Sequence, residues 1–135
     1  MKRLIPLILL IPLLAACGGA SASKPSDCLT VPDELVSQIS ERGKPQPLSV
    51  IASAAMKSSE RTDVYFISLR FNPRGSDEPL TGIWAVPNLE KNQTGILPVN
   101  GFAKEFTSGP DWSKANIKFS SAERSASDSM KCLPE

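Results

Sequence analysis

From residue 48 to residue 100 the chain is a series of short apolar runs in which every second position repeats the same character. This is the pattern of a sheet with at least one buried face. Asp63–Phe71 carries it most clearly. Tyr65, Ile67, Leu69 and Phe71 fall on one side, Val64, Phe66, Ser68 and Arg70 on the other, and β-branched and aromatic residues fill the run. The first side is apolar throughout and is expected to meet the core. Leu80–Val86 repeats the pattern, with Leu80, Gly82, Trp84 and Val86 set against Thr81, Ile83 and Ala85. Ile96–Asn100 reads as a last short strand. Its Pro98 suits a sheet edge, because proline offers no N–H to a second neighbour. Leu48–Lys57 admits two readings. Its alanines permit a helix, whereas Val50, Ile51 and the preceding connector Lys44-Pro45-Gln46-Pro47 favour a strand. Asn72–Pro79 is a hairpin loop and Asn92–Gly95 a turn.

Helical spacing flanks these strands on both sides. Leu35, Val36 and Ile39 form an apolar stripe, which predicts a helix over Pro32–Glu41. Thr30 is expected as its N-cap, with Asp33 completing a capping-box spacing, Pro32 in the first turn and Gly43 beyond the end. Ser120 and Glu123 offer a second capping box for a closing helix over about Ser121–Cys132, with a stripe of Ala122, Ala126, Ser129 and Met130. Gly101–Phe106 fits either a short helix or a loop. No crossover helix separates the strands, so they should pair antiparallel. The expected architecture is one α+β domain, a meander of about four antiparallel strands covered on one face by its N- and C-terminal helices.

The longest apolar run lies before all of these elements. Lys2 and Arg3 precede Leu4–Ala16, 13 residues including Pro6 and Pro12. A spanning helix needs about 20 apolar residues. A positive start, a short apolar run and small residues at its end instead make a cleavable export signal. Leu14-Ala15-Ala16-Cys17 resembles the lipobox of bacterial lipoproteins. That resemblance implies that the Cys17 thiol is diacylglycerylated, that cleavage makes Cys17 the N-terminus, and that its amine is commonly acylated (palmitate is the usual chain). One acyl chain anchors marginally, at about 0.8 kcal/mol per buried methylene, and two or three anchor stably. Gly18 follows Cys17 where an Asp would favour inner-membrane retention, so the resemblance favours the outer membrane in a cell that has one. Residues 1–16 would be the signal peptide, 17–27 the lipidated cysteine and a flexible tether rich in Gly, Ser and Ala, and 28–135 the folded domain.

Cleavage changes two counts. Loss of Lys2 and Arg3 takes 15 basic residues to 13 against 14 acidic ones, a side-chain charge of −1. No bulk charge remains to attract nucleic acid or anionic lipid. Of three cysteines, assigning Cys17 to lipid leaves Cys28 and Cys132, an even pair in an oxidising compartment. A disulfide between them is expected, closing a loop of about 100 residues worth about 4.7 kcal/mol on the loop-entropy model. The other possibility is a pair of free or metal-binding thiols, and two thiolates with no histidine make a poor zinc site.

Three further runs carry a second resemblance: Asp63–Ile67, Gly82–Leu89 and Val99-Asn100-Gly101-Phe102-Ala103-Lys104-Glu105-Phe106. They resemble a group of short exported bacterial proteins, many of them lipoproteins, which end in a helix with a late cysteine, here Cys132. The group has no assigned activity, so the resemblance implies no catalytic residues.

The absence of histidine from the chain excludes Ser-His and Cys-His nucleophile pairs, an HExxH zinc site and an imidazole base. No glycine-rich phosphate loop is present. No catalytic residue, metal site or cofactor is therefore assigned. Asp77, Glu78 and Asp111 fall in predicted loops, where carboxylates are ordinarily solvated. The segment best suited to binding is Val99–Trp112, with Phe102, Lys104, Glu105, Phe106, Asp111 and Trp112 mixing aromatics and charges as binding surfaces do. The competing expectation is that Phe102 and Phe106 cap the sheet's core while Lys104 and Glu105 face water. The functional expectation is a non-enzymatic envelope lipoprotein of binding or accessory type. It would be held to the membrane through Cys17, with an envelope protein or cell-wall ligand as partner and no nucleic acid. The alternatives are an inhibitor of hydrolases or a carboxylate-dependent cell-wall enzyme.

Overall fold

The computed structural model describes residues 24–109 and 117–135. The expected lipobox Leu14–Cys17, the first part of the expected tether, Asp111 and Trp112 lie outside the described residues. Within them the order is α1 (Asp33–Glu41), β1 (Ser49–Lys57), β2 (Tyr65–Asn72), β3 (Leu80–Val86), β4 (Leu97–Pro98), α2 (Gly101–Phe106) and α3 (Arg124–Lys131). The four strands form one antiparallel sheet in the order β1-β2-β3-β4, a meander as expected for an α+β chain of this pattern. Leu48–Lys57 resolves as a strand. In register, Ala55, Ile67, Trp84 and Pro98 lie opposite one another across the sheet, and Met56, Phe66, Ala85 and Leu97 form the next row.

The two rows face opposite ways, and both are covered. On one face Val31, Leu35 and Ile39 of the α1 region pack with Ile67, Leu69, Phe71, Trp84, Val86 and Ile96. On the other, Ala126 of α3 packs with Phe66, Ile83, Ala85 and Val99. The expectation of both terminal helices on one face is thus corrected. Phe66 and Ser68, assigned to the outer side of β2, are fully buried beneath α3. The reason lies in the strands themselves. Phe66, Ile83 and Ala85 make the second face apolar too, and an apolar face needs its own cover.

The disulfide joins Cys28 to Cys132, with Cα atoms 5.5 Å apart and a sequence separation of 104. It does not join neighbouring helices. Leu29 exchanges both backbone hydrogen bonds with Ala55 along the outer edge of β1, at 2.8 and 2.9 Å. Cys28 therefore packs with Ala54, Met56, Cys132 and Leu133 on the α3 face, while Val31 has already crossed to the α1 face. The bond ties the end of α3 to the segment that wraps the sheet edge.

The caps differ from expectation. Pro32, not Thr30, is the residue before α1, and no side chain caps it. The Pro32 carbonyl accepts from Leu35 and Val36, and Asp33 and Glu34 place negative charge in the first turn, where the helix dipole favours it. Gly43 is needed for a close approach rather than for a left-handed turn. A Cβ there would lie 2.4 Å from the Gln46 carbonyl oxygen. The Ser120–Glu123 box forms by half. Glu123 accepts from the Ser120 N–H, but the Ser120 hydroxyl caps Ala122 instead, and α3 begins at Arg124. Its buried stripe is Ser125, Ala126 and Ser129. Ala122 lies before the helix and is exposed, as is Met130.

Candidate functional site

α2 is short, and side chains fix it in place. Asn100 Oδ1 accepts from the backbone N–H of Ala103 and of Ile83, and its Nδ2 donates to the Thr81 carbonyl. Those two β3 groups lie beyond the end of two-residue β4, so one side chain continues the sheet edge and caps the helix. At the other end Trp84 Nε1 donates to the Thr107 hydroxyl at 3.1 Å, and that hydroxyl donates to the Ala103 carbonyl. Gly82 makes room for this indole. A Cβ at Gly82 would lie 2.3 Å from the Trp84 ring.

This geometry separates the expected binding residues. Phe106 turns inward, packing edge-on against Phe71 with ring centroids 5.6 Å apart, and it belongs to the core margin. Phe102 stays 43% exposed, and Lys104 and Glu105 are exposed beside it. α2 therefore brings Phe102, Lys104 and Glu105 together at the surface, with Phe106 beneath. Asp77 and Glu78 sit exposed in the β2–β3 loop. Among the described residues, no group of three or more His, Cys, Asp and Glu is placed to hold a metal ion. Among the same residues, no helix is long and apolar enough to cross a membrane.

Three other features lie outside the expected segment. The first is an ionic latch on the α3 side. Arg61 Nε donates to Glu123 Oε1 at 2.6 Å and Nη2 to Oε2 at 3.3 Å. The guanidinium also lies 4.7 Å from the centroid of Phe119 and donates to the Lys118 carbonyl. Burial works against the charged Glu123. The Arg61 hydrogen bond, the Ser120 N–H and the Arg61 charge outweigh it and hold the carboxyl below its ordinary range. The same hydrogen bond to Glu123 raises Arg61. The pair locks the chain before α3 to the β1–β2 turn and has no unpaired charge to offer a substrate.

The second is an almost wholly apolar cleft of about 200 Å³, lined by Val64, Ala85, Val86, Leu97, Ile117 and Phe119. The third is a hollow of about 300 Å³ between the connector before β1 and the end of β2, with Phe106 as one wall. Lys44 and Arg74 line it, together with Asn72, Pro45 and Pro47. Its lining comes from three segments far apart in sequence, the connector before β1, the end of β2 and the end of α2. Proline beside a cation in both Lys44-Pro45 and Pro73-Arg74 is the signal it offered.

Comparison with protein-family models, with curated proteins and with solved structures gives no match to this chain.

Proposed function

We propose that this chain is an exported, lipid-anchored envelope protein that acts by binding rather than by catalysis, with Cys17 carrying the lipid. The observation that most supports this reading is the Cys28–Cys132 disulfide. Disulfides persist in oxidising compartments outside the cytosol, which agrees with an export signal at Met1–Gly19. The bond also takes two of the three cysteines. Cys17, directly after Leu14-Ala15-Ala16, is the one left for lipid. The tether then enters the domain at Cys28, beside the end of α3, and leaves α2 at a different part of the molecule.

Gly18 in place of Asp favours the outer membrane in a two-membrane cell. The partner is an envelope protein or a cell-wall component, and the surface offered to it includes Phe102, Lys104 and Glu105. Exposed aromatics beside paired charges are the anchors that interfaces use.

Membrane fractionation of cells expressing wild type and Cys17→Ala tests the anchor. The wild type is expected in the membrane pellet and the variant in the soluble fraction. A variant that remained wholly in membranes would refute it. Crosslinking in intact cells tests the surface. A Phe102→Ser, Lys104→Glu variant is expected to lose the crosslinked species, and an unchanged pattern would remove α2 from the interface.

A further inference from the structure

The chain before α1 fixes where the tether leaves the domain. Leu29 pairs antiparallel with Ala55 on the outer edge of β1, so the residues before Leu29 run toward the C-terminal end of β1. Pro25, Ser26 and Asp27 reach that end, lining a hollow with Lys57, Ser59 and Arg124. The tether therefore departs beside the β1–β2 turn. The apolar cleft lies at the same end of the sheet. Val64 precedes β2, Val86 closes β3 and Leu97 opens β4, and all three line it. Ile117 and Phe119 complete the wall, and Ile117 is 52% exposed. Arg61 holds this wall to the turn, stacked on Phe119 and bonded to the Lys118 carbonyl. α2 belongs to the other end. Asn100 bonds to Thr81 near the start of β3, and Phe106 packs on Phe71 near the end of β2. The eight residues of β2 set the two ends about 26 Å apart.

We infer that the apolar cleft is the membrane-facing surface of this protein, resting on lipid of the bilayer that carries the anchor and turning α2 away from it. The inference rests on the lipid-anchor reading and adds which end of the domain meets the bilayer. At about 200 Å³ the cleft is smaller than the usual pocket for a discrete ligand, about 300–1,000 Å³. A small open apolar patch beside an exposed Ile117 suits shallow burial at the boundary of headgroups and acyl chains. Residues 17–24 reach at most about 29 Å when fully extended. An anchor on Cys17 thus keeps the cleft within range of lipid, and a contact too weak to hold a free protein can orient a tethered one. The contact is apolar rather than ionic. Lys57, Lys118 and Arg124 are exposed at this end, but so are Asp27, Glu60 and the cleft-lining Asp63. The orientation presents Phe102, Lys104 and Glu105 to the space beyond the membrane, where a partner can reach them.

The test couples the full mature chain, oxidised at Cys28 and Cys132, through its Cys17 thiol to a maleimide lipid in phosphatidylcholine nanodiscs. The anchor is then supplied chemically, so its presence in cells, read by the Cys17→Ala fractionation, is a separate outcome. A gadolinium-chelating lipid in the same disc broadens the NMR signals of residues near the bilayer. Broadening is expected to be many-fold stronger at residues 63–64, 86–87 and 117–119 than at 74–79 and 101–106, and unchanged when phosphatidylglycerol is added. Ile117→Glu, at an exposed position, is expected to cut that contrast several-fold while shifts elsewhere in the domain stay in place. A contrast unchanged by Ile117→Glu would mean that the tether alone sets it, and would overturn the inference. Equal broadening at both ends, stronger broadening at α2, or a contrast that requires phosphatidylglycerol would overturn it as well. A second copy or another part of the chain seated in the cleft would keep lipid off residues 117–119 and give one of those results.

Discussion

On the α1 face of the sheet, Leu35 and Ile39 meet Ile67, Leu69, Phe71 and Trp84, and large side chains fill the space. On the α3 face, Ala126 meets Phe66, Ile83, Ala85 and Val99, Ser129 meets Ser68 and Ser125 meets Ser59, so the helix itself brings only small side chains to the contact. Burial stabilises by about 25 cal/mol per Å² of apolar surface, so a layer of Ala and Ser gains less than one of Leu, Phe and Trp. The α3 layer carries specific links in compensation: the Cys28–Cys132 bond, a buried Ser68–Ser129 hydrogen bond at 2.7 Å and the Arg61–Glu123 pair. α1 also bonds outward, through Gln38 to Gln93 and Ser40 to Leu48, but its contact with the sheet is bulk, whereas the α3 contact depends on bonds. The small residues let α3 lie close to the strands, and the bonds fix where it lies.

The largest test of this contrast removes bulk. Trp84→Ala is expected to cost about 3–5 kcal/mol. It deletes the largest fully buried side chain and leaves the buried Thr107 hydroxyl without its indole donor. Urea unfolding would measure it, and a loss below about 1 kcal/mol would contradict the bulk half of the contrast.

Removing the covalent link comes next. Cys28→Ala with Cys132→Ala is expected to cost about 2–5 kcal/mol. The loss should also be uneven. Amide exchange in α3 should accelerate first, while α1, β2 and β3 stay protected. Uniform acceleration across both layers would show that the bond serves the whole domain equally.

The serine pair gives a finer discrimination. Ser129 Oγ donates to the Ala126 carbonyl at 2.6 Å, which uses its only proton, so Ser68 must donate to Ser129. Ser68→Ala therefore leaves Ser129 satisfied and should cost about 1 kcal/mol. Ser129→Ala strands a fully buried Ser68 hydroxyl and should cost more, about 1–3 kcal/mol. Thermal unfolding of the two variants side by side reads the order, and the reverse order would mean the proton runs the other way.

The smallest effect is electrostatic. Glu123 ionises more readily folded than unfolded. Its contribution is complete above the ordinary carboxylate range and is lost as pH falls through the depressed folded value. Glu123→Gln should thus cost about 1 kcal/mol or less near neutrality, with wild type and variant converging in acid. A difference that persisted at about pH 2 would assign the loss to packing instead of charge.

The sheet was legible because Asp63–Phe71 and Leu80–Val86 alternate cleanly, and alternation has one structural meaning. The observed β3 has the bounds read from the sequence, Leu80–Val86. The placement of α3 was legible in principle. Phe66, Ile83 and Ala85 share the second face, but Ser68 and Arg70 among them disguised it as solvent-facing. The Thr30 cap failed because Val31 is buried and the chain enters α1 through Pro32, whose carbonyl alone opens the helix. Within the binding segment, sequence spacing could not tell Phe102 from Phe106, since four residues apart places both near one face. Only the Phe71 ring decides which turns inward. The hollow lined by Lys44, Asn72, Arg74 and Phe106 was not legible, because the connector before β1, the end of β2 and the end of α2 are far apart in sequence and nothing local says that they meet.

The proposed division of the three cysteines, Cys17 to lipid beside the Cys28–Cys132 bond, links the fold's closure to its proposed location. The intact mass of protein extracted from membranes and alkylated without reduction tests it most directly. The expected species begins at Cys17, carries a diacylglyceryl group with or without an added N-acyl chain, and takes up no alkyl label at Cys28 or Cys132. A species that begins at Met1, lacks the lipid, or is alkylated at both Cys28 and Cys132 would contradict it.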